Sequence, residues 1–232
     1  MPCLVELVSP LAVGDRDLRL VTFQRAKEDE PLHVRCKAGL VSDTQTVVLV
    51  EGASDKSAVE ALAERHGRNL AAEGISLVAM GGATNIGTYL GRFGPRGRNL
   101  RLAGLCDAGE EGDFQRSLER AGLGSDLSRS DLEALGFFVC VADLEDELIR
   151  ALGTATVERV VDAEGELSSF RTLQKQLAWR GSATHDQLRR FMGSGSGRKI
   201  RYSGALVAAL DLDRVPRPLD LLLAHLSGSR RW

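Results

Sequence analysis

No stretch of this 232-residue chain approaches the roughly 18 consecutive apolar residues that a membrane helix needs. Met1 to Pro10 also lack the basic start and long apolar run of a secretory signal. A membrane partner is therefore excluded on this reading, and the cytoplasm is the expected compartment. Cysteine is sparse: Cys3, Cys36, Cys106 and Cys140 are far apart and form no C-x-x-C pair. That leaves neither a disulfide framework nor a zinc ribbon, and Cys106 and Cys140 sit in apolar runs where cysteine is a small hydrophobe. His33, His66, His185 and His225 are scattered without ligand spacing. A P-loop is lacking too. GSGSGRKI (Gly193 to Ile200) would need Gly at position 198 and Ser or Thr at position 200, so no ATP site is assigned to this chain.

What remains is an ordinary globular composition, 43% hydrophobic and 27% charged with a net charge of -2, sufficient to bury a full core. From Thr46 onward, short apolar runs alternate with helical patterns, the signature of βαβ units on a parallel sheet. TVVLVE (Thr46 to Glu51), SLVAM (Ser76 to Met80), LRLAGLC (Leu100 to Cys106) and FFVCV (Phe137 to Val141) are the expected strands. Ser54 is the expected cap of the first helix, whose stripe is Val59, Leu62 and Ala63; NIGTYLGRFG follows the second strand, and a helix over Asp113 to Ala121 the third, with a polar loop before the fourth. Three segments result: residues 1–43, an N-terminal extension in which DLRLVTF and PLHVRC suggest a β-hairpin; residues 44–166, the α/β core; and residues 167–232, helical and basic.

Parallel strands place Glu51, Gly81, Asp107 and Asp143 past their carboxyl ends, on the edge where open α/β sheets bind ligands. Glu51, Asp55, Asp107, Glu110, Glu111, Asp143, Glu145, Asp146 and Glu147 gather there. Crowded carboxylates raise one another's pKa unless a cation neutralises them, and hard oxygen ligands suit Mg²⁺ or Mn²⁺. Between residues 167 and 201, Arg171, Lys175, Arg180, Arg189, Arg190, Arg198, Lys199 and Arg201 are met by Asp186 alone. A basic surface beside an acidic crevice suits a phosphodiester substrate. Arg92, Arg96, Arg98 and Arg101 precede the third strand and fall on the far edge, as a solvated loop.

EGASD (Glu51 to Asp55), GLCDAGEE (Gly104 to Glu111) and DLEDEL (Asp143 to Leu148), in this order, resemble the TOPRIM domain, and most of all that of OLD-family nucleases. GGATNIGTYL after the second strand and Lys199 ahead of a late helix extend the similarity over roughly Thr46 to Leu226. The resemblance implies a TOPRIM-like α/β fold, a parallel sheet flanked by helices, and metal-dependent hydrolysis of nucleic acid, DNA favoured over RNA. It implies Glu51, Asp107 and Lys199 as catalytic residues. Glu51, Asp55, Asp107, Glu110, Glu145 and Glu147 would be ligands for one or two Mg²⁺ or Mn²⁺ ions, and Arg189, Arg190, Arg198, Lys199 and Arg201 nucleic-acid contacts. Two departures stand out: Gly109 occupies the place of the second acid of the family's DxD pair, and the ATPase domain that precedes TOPRIM in OLD nucleases is not encoded here. An ATPase in a separate chain and a second copy of this chain are the protein partners the resemblance allows. Two alternatives compete: a TOPRIM nucleic-acid-binding module without catalysis, and a receiver-like signalling domain with Asp107 as phosphoacceptor.

Overall fold

The computed structural model describes residues 44–195 and 197–228. The hairpin expected from DLRLVTF and PLHVRC lies outside these residues. Four strands form one sheet in the order β2-β1-β3-β4: β1 (Thr46–Val50), β2 (Ile75–Ala79), β3 (Arg101–Cys106) and β4 (Phe137–Val139). All pairings are parallel, with Thr46 opposite Ile75 and Arg101, and Gly104 opposite Phe137. The helices are α1 (Ala53–Arg65), α2 (Ile86–Phe93), α3 (Glu111–Arg120), α4 (Arg129–Ala134), α5 (Leu144–Leu152), α6 (Thr154–Ala163), α7 (Leu167–Lys175), α8 (Thr184–Met192), α9 (Arg198–Ala209) and α10 (Arg217–Ser227).

Strand periodicity divides the interior in two. Val48, Val50, Ala103, Leu105, Phe138 and Cys140 face a core built with α1 and α5 to α10. Their alternates Val47, Leu49, Leu102, Cys106, Phe137 and Val139 face a smaller core with α2, α3 and α4. Every residue of β1 is buried, whereas most of β2 is only partly so. That matches a central strand covered on both faces and an edge strand. The larger core runs without interruption from residues of α1 to Leu226 of α10.

Local signals explain two departures from expectation. Gly52, not Ser54, precedes the first helical residue, and the Asp55 carboxylate accepts the Gly52 N–H at 2.8 Å. Part of the expected loop before β4 is α4: Ser128 Oγ accepts the Asp131 N–H, and Asp131 Oδ2 accepts the Ser128 N–H at 2.9 Å. The Ser-x-x-Asp spacing is a reciprocal cap of the capping-box kind.

α9 lies along α1, and the two run in the same direction: Ser57 Oγ is 3.4 Å from the Ile200 carbonyl, and Arg65 Nη1 donates to the Val207 carbonyl at 2.7 Å. Gly204 lies on this seam, where a Cβ would stand 3.4 Å from Ser57 Oγ, an ordinary contact distance. Both helices therefore start at the carboxyl edge of the sheet, and so does α5, which follows β4.

Gly104 sets the sheet's tightest point. A Cβ at this position in β3 would lie 2.7 Å from Phe137 Cδ1 and 2.8 Å from the Leu49 carbonyl oxygen. Gly104→Ala is expected to destabilise the protein by about 2 kcal/mol through overpacking. The check is a lower urea midpoint at unchanged m-value.

Candidate metal and nucleic-acid site

Three of the four strands, β1, β3 and β4, deliver an acid to the same edge. Glu51 follows β1, Asp107 follows β3, and Asp55 sits in the first turn of α1. Asp143 precedes α5 and caps it, accepting the Asp146 N–H at 2.8 Å, and Glu145 lies in that helix's first turn. Across from them, Lys199 at the start of α9 places Nζ 3.1 Å from Glu145 Oε2.

The electrostatics of this group are those of charges held together against their preference. Burial pushes the Asp107 carboxyl up to about 7, reinforced by Glu51, Asp55 and Asp143 and opposed by Lys199. Glu51 is raised by burial, then by Asp55 and Glu110. Asp55 is raised by burial, opposed by the Gly52 N–H and Lys199; Glu145 is raised by burial and relieved by Lys199. Burial works against the charge on Lys199, but Glu145, Asp55 and Asp107 outweigh it and hold its pKa above the ordinary lysine value. Two carboxylate oxygens, Glu51 Oε2 and Glu145 Oε1, are buried without a hydrogen-bond partner. A buried polar atom left so is costly, and a cation on this rim would satisfy both. The oxygen-only donor set fits a hard divalent ion, although among the described residues no three His, Cys, Asp or Glu are drawn close enough to form a ready-made metal cluster.

Several expected participants are occupied elsewhere. Glu147 is two residues beyond Glu145, which on a helix turns it to a different face. Its Oε1 accepts the Val141 N–H at 2.7 Å and its Oε2 meets Arg150 at 2.9 Å. It lines a separate cavity of about 370 Å³ with Arg129, Arg150 and Arg217, away from Lys199. Glu111 is bound by the Arg129 guanidinium, with Nε at 3.1 Å. Glu110 stays partly exposed, near enough to Glu51 to raise it.

The basic residues divide similarly. Arg198 and Arg201, expected as nucleic-acid contacts, are held by Glu166 at the start of α7. Arg198 Nη2 donates to Glu166 Oε1 at 3.0 Å and Nε to Oε2 at 3.2 Å, and its guanidinium lies 4.2 Å from the centre of the Phe191 ring. Arg201 bonds both Glu166 and Glu164, and the fully buried Tyr202 donates its hydroxyl to Glu166 Oε2 at 2.9 Å. These contacts fix the start of α9 and with it Lys199. Arg189 pairs with Asp143, whereas Arg190 is exposed and in no ion pair among the described residues. An open cavity of about 400 Å³ adjoins the rim, lined by Glu145, Lys199, Arg189, Arg190, Asp186 and Trp179. Trp179 and Glu166 were not singled out from the sequence; a lone Trp within a basic helical stretch was the available signal for the first, and none existed for the second.

Residues 44–100 match the family model of the overcoming lysogenization defect protein-like TOPRIM domain. The chain thus resembles the OLD-like TOPRIM domain. Its structure superposes on the C-terminal region of the Xanthomonas campestris pv. campestris OLD protein with a TM-score of 0.63 at 27% identity, covering 79% of this chain and 92% of that one. The C-terminal region of the Burkholderia pseudomallei OLD protein gives 0.62 at 21% identity, covering 79% and 97%. No curated protein matches. The parallel four-strand sheet flanked by helices is the fold of these OLD C-terminal regions. TOPRIM domains generally bind divalent metals, and the OLD-like match points to nuclease-type activity.

Glu166 provides a test of how the TOPRIM-like face is held. Its hydrogen bonds from Arg198, then Tyr202 and Arg201, outweigh its burial and bring its carboxyl down to about 2. A carboxylate depressed on folding stabilises above its unfolded pKa, and that contribution is lost as pH falls from about 4.5 to about 2. Glu166→Gln should cost about 2 kcal/mol at neutral pH through lost charge-assisted bonds. Thermal melts across this range should show a shallower acid loss than in the parent protein.

Proposed function

We propose that this chain is a divalent-metal-dependent phosphodiester hydrolase acting on nucleic acid, DNA in preference to RNA. The observation that carries the reading is the pair of buried, unpartnered carboxylate oxygens on Glu51 and Glu145, on a rim that also holds Asp107 and Asp55 and whose nearest cation is Lys199. Glu51 and Asp107 would hold a Mg²⁺ or Mn²⁺ ion, with Asp55, Glu145 and Glu110 available to a second. A divalent cation bound there supplies Lewis acidity toward a phosphoryl oxygen and makes water a better nucleophile near neutral pH.

The chain's own residues supply the rest. Asp107, pushed up to about 7 by burial and then by Glu51 and Asp55, is suited to holding or releasing a proton near neutral pH; Glu51 is raised too, by burial and then by Asp55 and Glu110. Lys199 has its ammonium on Glu145 and exchanges that carboxylate for the phosphoryl oxygen, where it balances developing charge. The starts of α1, α5 and α9 aim partial positive charge at the same edge, favouring an anion there. Arg190 adds a backbone contact.

The binding-only alternative is favoured by one observation. Gly109 stands where the family's second acid is expected, so the rim has one ligand fewer. A Cβ at Gly109 meets nothing within 4 Å, so the missing carboxylate can be restored. Purified protein with Mg²⁺ or Mn²⁺ should nick supercoiled plasmid, and Asp107→Ala should lower the rate at least about 100-fold. Equal activity in Asp107→Ala and parent, or none in either, refutes the hydrolase reading. Separately, Gly109→Asp should enlarge the metal-dependent rise in melting temperature, because a ligand that binds only the folded state stabilises it by mass action.

A further inference from the structure

We propose that the cavity beside Lys199 is a pocket for an unpaired nucleobase, with Trp179 as its stacking surface. The proposal rests on the hydrolase reading for the identity of the polymer, and adds the substrate class: single strands, frayed ends or flaps rather than intact duplex.

Trp179 lies in the connection between α7 and α8 and is held in place from several sides. Its backbone carbonyl accepts from Gln187 Nε2 at 2.9 Å, its backbone N–H donates to the Gln176 carbonyl at 2.9 Å, and Gln187 is itself buried and accepts from Gln174 Nε2 at 2.7 Å. The indole packs against the larger core, remains partly exposed, and lines the cavity of about 400 Å³. It is therefore a prearranged aromatic surface rather than a residue hidden in the interior.

The chemistry around the ring is complementary to a nucleotide. Arg190, exposed and without a carboxylate partner among the described residues, suits the phosphate; Asp186, with a side chain 60% exposed, can accept from an exocyclic amino group. An aromatic face next to cations is the usual means of holding single strands, since every base has a π-face. In an intact duplex the faces of the bases are covered by their neighbours, so the indole that lines this cavity can stack only on a base that has left the stack. The Glu145–Lys199 pair also lines this cavity. The unpaired nucleotide would thus be one that flanks the scissile phosphate.

The test is binding of a short mixed-sequence DNA single strand, and of the blunt duplex of the same sequence, to the full chain in EDTA, followed by tryptophan fluorescence. The only other tryptophan is Trp232, so a Trp232→Phe background isolates Trp179. The single strand should quench Trp179 and bind about tenfold more tightly than the duplex, the equivalent of one stacked base. Trp179→Leu should lose about that factor for the single strand, and Trp179→Phe should keep most of it. Absence of quenching, equal affinity for the two DNAs, or a folded Trp179→Leu that binds the single strand like the parent overturns the pocket. Where Trp179→Leu fails to fold, quenching and Trp179→Phe decide. Cleavage assays in Mg²⁺ separate the two ideas. Binding that depends on Trp179 without any cleavage keeps the pocket and removes the hydrolase; cleavage with no response to Trp179 does the reverse.

Discussion

Like charges brought together at a sheet edge and kept partly out of water are the constraint on which the rest of this structure depends. Glu51, Asp55, Asp107 and Glu145 cannot relax apart, because each is fixed by an element packed into one of the two cores. Parallel pairing leaves no choice of edge: with Leu49 opposite Gly104 and Val50 opposite Ala79, the residues that follow β1 and β3 must emerge side by side. The resulting repulsion is a standing cost to folding, met in part by one lysine and by the positive ends of three helices, α1, α5 and α9.

Much of this was legible in the sequence. The short apolar runs VVLV and LAGLC, rich in β-branched residues or bounded by turn signals, read as strands covered on both faces, and an acid placed just after each run inherits its position from the sheet. Periodicity therefore placed Glu51 and Asp107 on one edge without any knowledge of tertiary contacts. It could not separate Glu145 from Glu147, since both belong to a helix's acidic first turn and only packing tells which one turns toward α9 and which toward the β4 end. Nor could it locate Glu166, whose partners lie 32 to 36 positions further along.

Segregated charge in the sequence proved to have two structural uses. Arg198 and Arg201 look like a basic surface when counted along the chain, yet they converge on Glu166 and lock the turn that begins α9. Gly197, with φ of 73°, adopts there a left-handed conformation that glycine tolerates without strain. Arg190 and Lys199 face the cavity, the former without a carboxylate partner among the described residues. A count of basic residues thus overstates the surface available to a polyanion, and the carboxylate nearest each guanidinium is the better guide.

The alignment of α9 with α1 also bears on how the protein comes into being. The ribosome releases the sheet and its acidic rim well before it releases Lys199, so a nascent chain carries the clustered carboxylates with no compensating ammonium. Until α9 has emerged and settled beside α1, the rim keeps carboxylates whose repulsion the Lys199 ammonium does not yet offset, so the charge balance of this edge is completed late in synthesis.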